Sequence, residues 1–64
     1  MKIKYDHRAD ALYINLAEAI SDASEEVRPG LILDFDKEGR LVGIEILDVK
    51  NTVAPGLTIV EAAE

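Results

Sequence analysis

Asp6, His7 and Asp10 fall within five positions of one another in the stretch "YDHRADALYINL", residues 5 to 16. Two carboxylates around an imidazole are the raw material of a general base or of part of a metal site. A metal needs three or more converging ligands, and a general base needs a pocket beside a substrate. A simpler chemistry is available to both aspartates. Between two strands, Asp side chains accept hydrogen bonds from nearby backbone amides and hold the turn. That reading explains Asp6 and Asp10 with no ligand and leaves His7 in solvent.

A second spacing has chemical content. Asp34, Asp36, Glu38, Gly39 and Glu45 stand at positions one, three, five, six and twelve of a calcium loop, with Leu41 at the apolar eighth. Such a loop is entered and left through helices. Here the flanks alternate with period two, and a hairpin would distribute Asp34 and Glu45 along a ladder instead of around an ion. No metal site is therefore assigned. Asp34, Asp36, Glu45 and Asp48 read as a solvated acidic face. Tyr13, Asp34 and Glu45, together with Asp6 and Asp10, are the candidate binding residues, and no catalytic residue is assigned. Ser21 and Ser24 lack the glycine setting of a nucleophile elbow, and the chain has no cysteine. Gly30, Gly39, Gly43 and Gly56 are too scattered for a phosphate loop. No cofactor is expected.

The elements that must position these residues are short strands. In "LILDFDKEGRLVGIEILDV", residues 31 to 49, two β-rich runs flank Asp36-Lys37-Glu38-Gly39, and Gly39 suits the left-handed position of a bulged type I turn. Leu31, Leu33 and Phe35 alternate with Ile32, Asp34 and Asp36, and the return strand sets Val42, Ile44 and Ile46 against Gly43 and Glu45. Met1, Ile3 and Tyr5 alternate with Lys2 and Lys4, the pattern of a half-buried strand at a sheet edge. Residues 12 to 20 fit strand and helix spacings equally well. Tyr13 and Ile14 favour a strand through Leu16. Residues 24 to 28 form another short, charged strand, which Pro29-Gly30 interrupts. "KNTVAPG" reads as a loop, and "LTIVEAAE" is compatible with a strand, a helical turn or a loosely attached tail over residues 50 to 64. The fold expected is a single all-β or β-rich α+β domain over residues 1 to 64. Its architecture is a small curved antiparallel meander of four to five strands.

Size then bears on assembly. A 64-residue chain buries only about 60% of the surface its unfolded form exposes. Disulfides are excluded, so oligomerisation is the remaining common source of stability, and a homodimer that covers the apolar sheet face is expected. Thirteen acidic residues against seven basic give a net charge of -6, which disfavours nucleic acid and suits a basic protein partner. The N-terminal "MKIKYDHRAD" lacks the apolar stretch of a secretory signal, and no apolar run is long enough to span a bilayer. A cytoplasmic location is the expectation.

Tyr5, Asp6, Ala9, Asp10, Ala11, Leu12, Tyr13 and Ile14, followed by Gly39 and by Val42-Gly43-Ile44-Glu45-Ile46-Leu47-Asp48, carry a resemblance. The chain is similar over most of residues 1 to 49 to a family of short bacterial and archaeal proteins of unknown function. His7 stands where that family's pattern has proline. The resemblance supplies no catalytic residues. It implies a small interaction protein, in some members an antitoxin-like partner of a basic toxin. The alternative is a small ligand-binding or enzymatic domain with an acidic site at a subunit boundary.

Overall fold

The computed structural model describes residues 1–59. Its strands are β1 (Lys2–Asp6), β2 (Ala11–Asn15), β3 (Ala23–Arg28), β4 (Leu31–Phe35) and β5 (Leu41–Ile46), followed by one helical turn, α1 (Val49–Thr52). They form one antiparallel sheet in the order β1-β2-β5-β4-β3. A β1–β2 hairpin and a β3–β4–β5 meander are thus joined through β2–β5 pairing. The expected all-β class and strand content are found. β2 is a strand, as Tyr13 and Ile14 indicated, and ends at Asn15 because the amides of Leu16 and Ala17 both turn onto the Val42 carbonyl, at 2.8 and 3.2 Å. The segment after Ala17 passes the ends of β5 and β4, and Asp22 donates to the Phe35 carbonyl at 2.8 Å as β3 begins on the far edge.

Cross-strand register sorts the side chains into rows, because residues paired across an antiparallel ladder share a face. On one face, Ile3, Ile14, Ile44, Leu33 and Glu25 are paired in turn from β1 to β3. Beside them run Tyr5, Leu12, Ile46, Leu31 and Arg28. Both rows are apolar across four strands and charged on the fifth. The other face carries Lys2, Asn15, Gly43, Asp34 and Ser24 in one row, and Lys4, Tyr13, Glu45, Ile32 and Glu26 in the next. Bulges in β3 between Glu26 and Arg28, and opposite Asp34 and Phe35, bend the sheet.

Among the described residues no second sheet and no long helix packs on the apolar face. Leu12, Val42 and Val49 are the buried apolar residues among those described. Ile3, Ile14, Ile44, Ile46, Leu31 and Leu33 remain half-buried. α1 closes only the end of the sheet where the β1–β2 and β3–β4 turns meet. The sequence pattern indicated a loop from Lys50 onward. A helical turn forms instead because Asp48, at φ 49°, redirects the chain, and local bonds hold the result: Thr52 Oγ1 donates to the Leu47 carbonyl at 2.6 Å, and the Asn51 side chain donates to the Asp48 carboxylate. A single turn has no periodicity to read. Leu57 to Ile59 carry no regular structure, and the rest of the expected tail element, Val60 onward, lies outside the described residues.

Candidate functional site

Asp6 and Asp10 close the β1–β2 hairpin in different ways. The Asp6 carboxylate accepts the amides of Arg8 and Ala9 at 3.0 and 3.2 Å, the local bonding of an Asx turn. Asp10 sits in the left-handed region, at φ 52°, which Asp tolerates better than most residues. Its carboxylate reaches outward. It accepts the Tyr5 hydroxyl at 2.6 Å and the Lys50 amide at 3.0 Å, while its carbonyl accepts the Val49 amide at 3.1 Å. Asp10 therefore fastens the first hairpin to α1, forty residues away in the chain.

These bonds set the local electrostatics. The hydrogen bond from Tyr5, then that from the Lys50 amide, hold the Asp10 carboxyl below its ordinary range, outweighing its partial desolvation. The same bond to Asp10 raises the Tyr5 phenol, helped by desolvation and by the charges of Asp10 and Asp6. His7 is exposed and stacks edge-on against Tyr5, with ring centroids 4.6 Å apart.

Asp36 is also committed within its own turn. One oxygen accepts the Glu38 and Arg40 amides at 2.9 and 2.8 Å, and the other accepts Arg40 Nε at 2.9 Å. The Arg40 amide bond lowers the Asp36 carboxyl most, with the Arg40 guanidinium adding to it. Asp34 lies in the polar row beside β3, is buried, and accepts the Ser24 hydroxyl at 2.6 Å. Glu45 is in the neighbouring row, paired with Tyr13. The five calcium-loop positions are thus spread over a turn and two rows of a sheet, and among the described residues no three His, Asp or Glu side chains converge as metal ligands.

The candidate residues therefore separate into two groups. Tyr13, Glu45 and Asp34 share the polar face, where Tyr13 lies across Gly43. A Cβ on Gly43 would stand 2.9 Å from Tyr13 Cζ and 3.0 Å from the Ile14 carbonyl oxygen, so only glycine admits the ring. Asp10 belongs to the opposite face, with Tyr5. Around the polar row runs an open groove of about 550 Å³ lined by Lys4, Asp6, Arg8, Tyr13 and Glu45 among others. Chemically it offers a phenol, carboxylates and two cations beside an apolar lining that includes Ala11, Leu12 and Leu47, in a groove open to solvent. Lys4 was not among the sequence candidates. Alternation places it on the Asp6 face, but only the β1–β2 register sets it beside Tyr13. Ser24 and Tyr5 were likewise legible as residues but not as partners of Asp34 and Asp10.

Family comparison agrees with the pattern of the strands. The model of the DUF2283 family, proteins of unknown function, matches residues 2–50, spanning all five strands and the first residues of α1. The chain belongs to this family. No curated protein and no solved structure matches the chain. No helix among the described residues is long and apolar enough to cross a membrane.

Proposed function

We propose that this DUF2283 chain is a small non-enzymatic interaction protein that works as a homodimer, closing its apolar sheet face on a second copy and presenting its acidic surface to a protein partner. The observation that carries this reading is the open apolar face, with six aliphatic side chains of four adjacent strands left half-buried. Domains are ordinarily built from two packed layers, and among the described residues this chain has one sheet and a single helical turn.

The finer reading is an antitoxin-like role against a basic partner. It is supported by the net charge of -6 and by the edge strand β3, whose six residues are all exposed and include Glu25 and Glu26. Charge complementarity steers and selects such a partner, and an exposed strand edge offers unpaired backbone groups to it.

Sedimentation equilibrium tests the assembly. The wild type is expected at twice 7.0 kDa at micromolar concentration. Ile44→Lys, at the centre of the apolar rows, should weaken the dimer by at least about 100-fold, because a charge is buried unpaired on both sides of the interface. Glu45→Lys, the next residue on the opposite face, should leave the mass unchanged. A wild-type chain that stays monomeric at millimolar concentration while melting cooperatively would overturn the reading.

A further inference from the structure

The apolar rows end in charge, and the signs differ. Glu25 continues the row of Ile3, Ile14, Ile44 and Leu33, and Arg28 continues the row of Tyr5, Leu12, Ile46 and Leu31. Both belong to the exposed edge strand β3, and neither forms an ion pair within the described residues, where Arg40 with Asp36 and Glu38 makes the ion pairs. An acid and a base at the end of adjacent apolar rows make that edge self-complementary under one symmetry operation and not under the other.

From this we infer that the second copy stacks on the apolar face about a two-fold axis running across the strands, so that Glu25 of each copy faces the partner's Arg28. The inference rests on the dimer reading above and adds its geometry. Two-fold contacts bring the same patch of each subunit together, and packed sheets keep their strands within about 30° of one another. Two in-plane axes satisfy both conditions. An axis along the strands lays β3 over the partner's β1, setting Glu25 against the partner's Ile3 and Arg28 against the partner's Tyr5. Both charges would then lose water without gaining a partner. An axis across the strands lays each strand over its own counterpart and exchanges the two rows. Glu25 then meets the partner's Arg28, and Arg28 meets the partner's Glu25, twice per dimer. Sheets about 10 Å apart are bridged by two side chains of this length.

The arrangement also accounts for the β3 bulge between Glu26 and Arg28. Strict alternation would put residues three apart on opposite faces. The extra residue brings Arg28 opposite Leu31, at the end of the apolar row, while Glu25 stays opposite Leu33.

Charge exchange tests the geometry. Dimer dissociation constants are measured by sedimentation for the wild type, Glu25→Arg, Arg28→Glu and the double variant E25R/R28E, with a thermal melt for each to check folding. All changes lie on an exposed edge strand. Each single variant places like charges in both symmetric pairs and should weaken the dimer about tenfold at low salt, less in high salt, as rim ion pairs do. The double variant restores opposite charges and should return to within about threefold of the wild type, since only the cross-subunit pairing has been inverted. A double variant no tighter than either single one, or single variants that dimerise like the wild type, would overturn the axis while leaving the dimer itself intact. A monomeric wild type would overturn both.

Discussion

Gly43 offers the sharpest check on the polar face. Its φ is not in the left-handed region, so alanine is conformationally acceptable and, by narrowing the unfolded ensemble, would contribute about 0.4–1 kcal/mol of stability if nothing else changed. The surroundings oppose it. The new methyl would meet Tyr13 Cζ at 2.9 Å and the Ile14 carbonyl oxygen at 3.0 Å. The carbonyl belongs to the neighbouring central strand and is held by the ladder, so the tyrosine ring must leave. Overpacking of this kind costs about 1–3 kcal/mol. The balance predicts that Gly43→Ala destabilises by about 1 kcal/mol, a fall in Tm of roughly 4–8 °C for a domain of this size. The informative measurement is the double-mutant cycle with Tyr13→Ala, followed by circular dichroism melts at one fixed chain concentration, because any self-association would make Tm concentration-dependent. Once the ring is absent, the cost of G43A should fall to the part set by the 3.0 Å approach to the Ile14 carbonyl oxygen. A Gly43→Ala variant as stable as the wild type, or a cost that persists undiminished without Tyr13, would refute the packing argument.

Gly30 and Gly39 both have positive φ, 83° and 80°, but their surroundings differ. Alanine at Gly39 meets open space and should cost only the left-handed penalty of about 1–2 kcal/mol, whereas alanine at Gly30 also approaches the Leu47 carbonyl oxygen and Thr52 Oγ1 at 3.0 Å and should lower Tm several degrees further. Equal melts for the two variants would contradict this. Asp10 and Asp36 titrate below their ordinary 3.8 in the folded chain, so the stability they lend is present above that value and is lost as pH falls through their folded pKa values; Asp10→Asn should flatten the acid limb of a stability-versus-pH curve, and an unchanged limb would refute it. Tyr5, raised above 10.0, contributes in the opposite direction: its bond to Asp10 is intact below 10.0 and is lost as pH rises through the folded value. Phenolate absorbance should therefore show Tyr5 ionising later in the wild type than in Asp10→Asn.

Much of the fold was legible because its elements are locally consistent. Alternation in residues 31 to 46 fixed which side chains share a face, and Gly39 marked the turn, where its amide bonds the Asp36 carbonyl at 3.0 Å. Asp6 could be read as a turn residue because its partners lie two and three positions away, whereas Asp36, read as part of a solvated acidic face, in fact accepts the Glu38 and Arg40 amides of its own turn. Asp10 could not be read in full. Its side chain bonds Lys50, forty residues on, and nothing in a turn motif points across that distance. The α1 turn was missed for a related reason, since four residues are stabilised by bonds to Leu47 and Asp48 and by burial of Val49, not by helical pattern.

By itself, then, the sequence determined the class of the elements, the apolar and polar sets along each strand, the turn chemistry of Asp6 and Gly39, and an acidic net charge of -6. The tertiary structure alone decided that β5 lies between β2 and β4, and therefore that Tyr13 covers Gly43, that Asp10 joins Tyr5 to α1, and that the apolar rows end in Glu25 and Arg28. The physical reason is that period-two alternation specifies a strand's faces but not its neighbours. Neighbours are chosen by the register that aligns all the apolar positions at once, a condition on the whole sheet and not on any one segment.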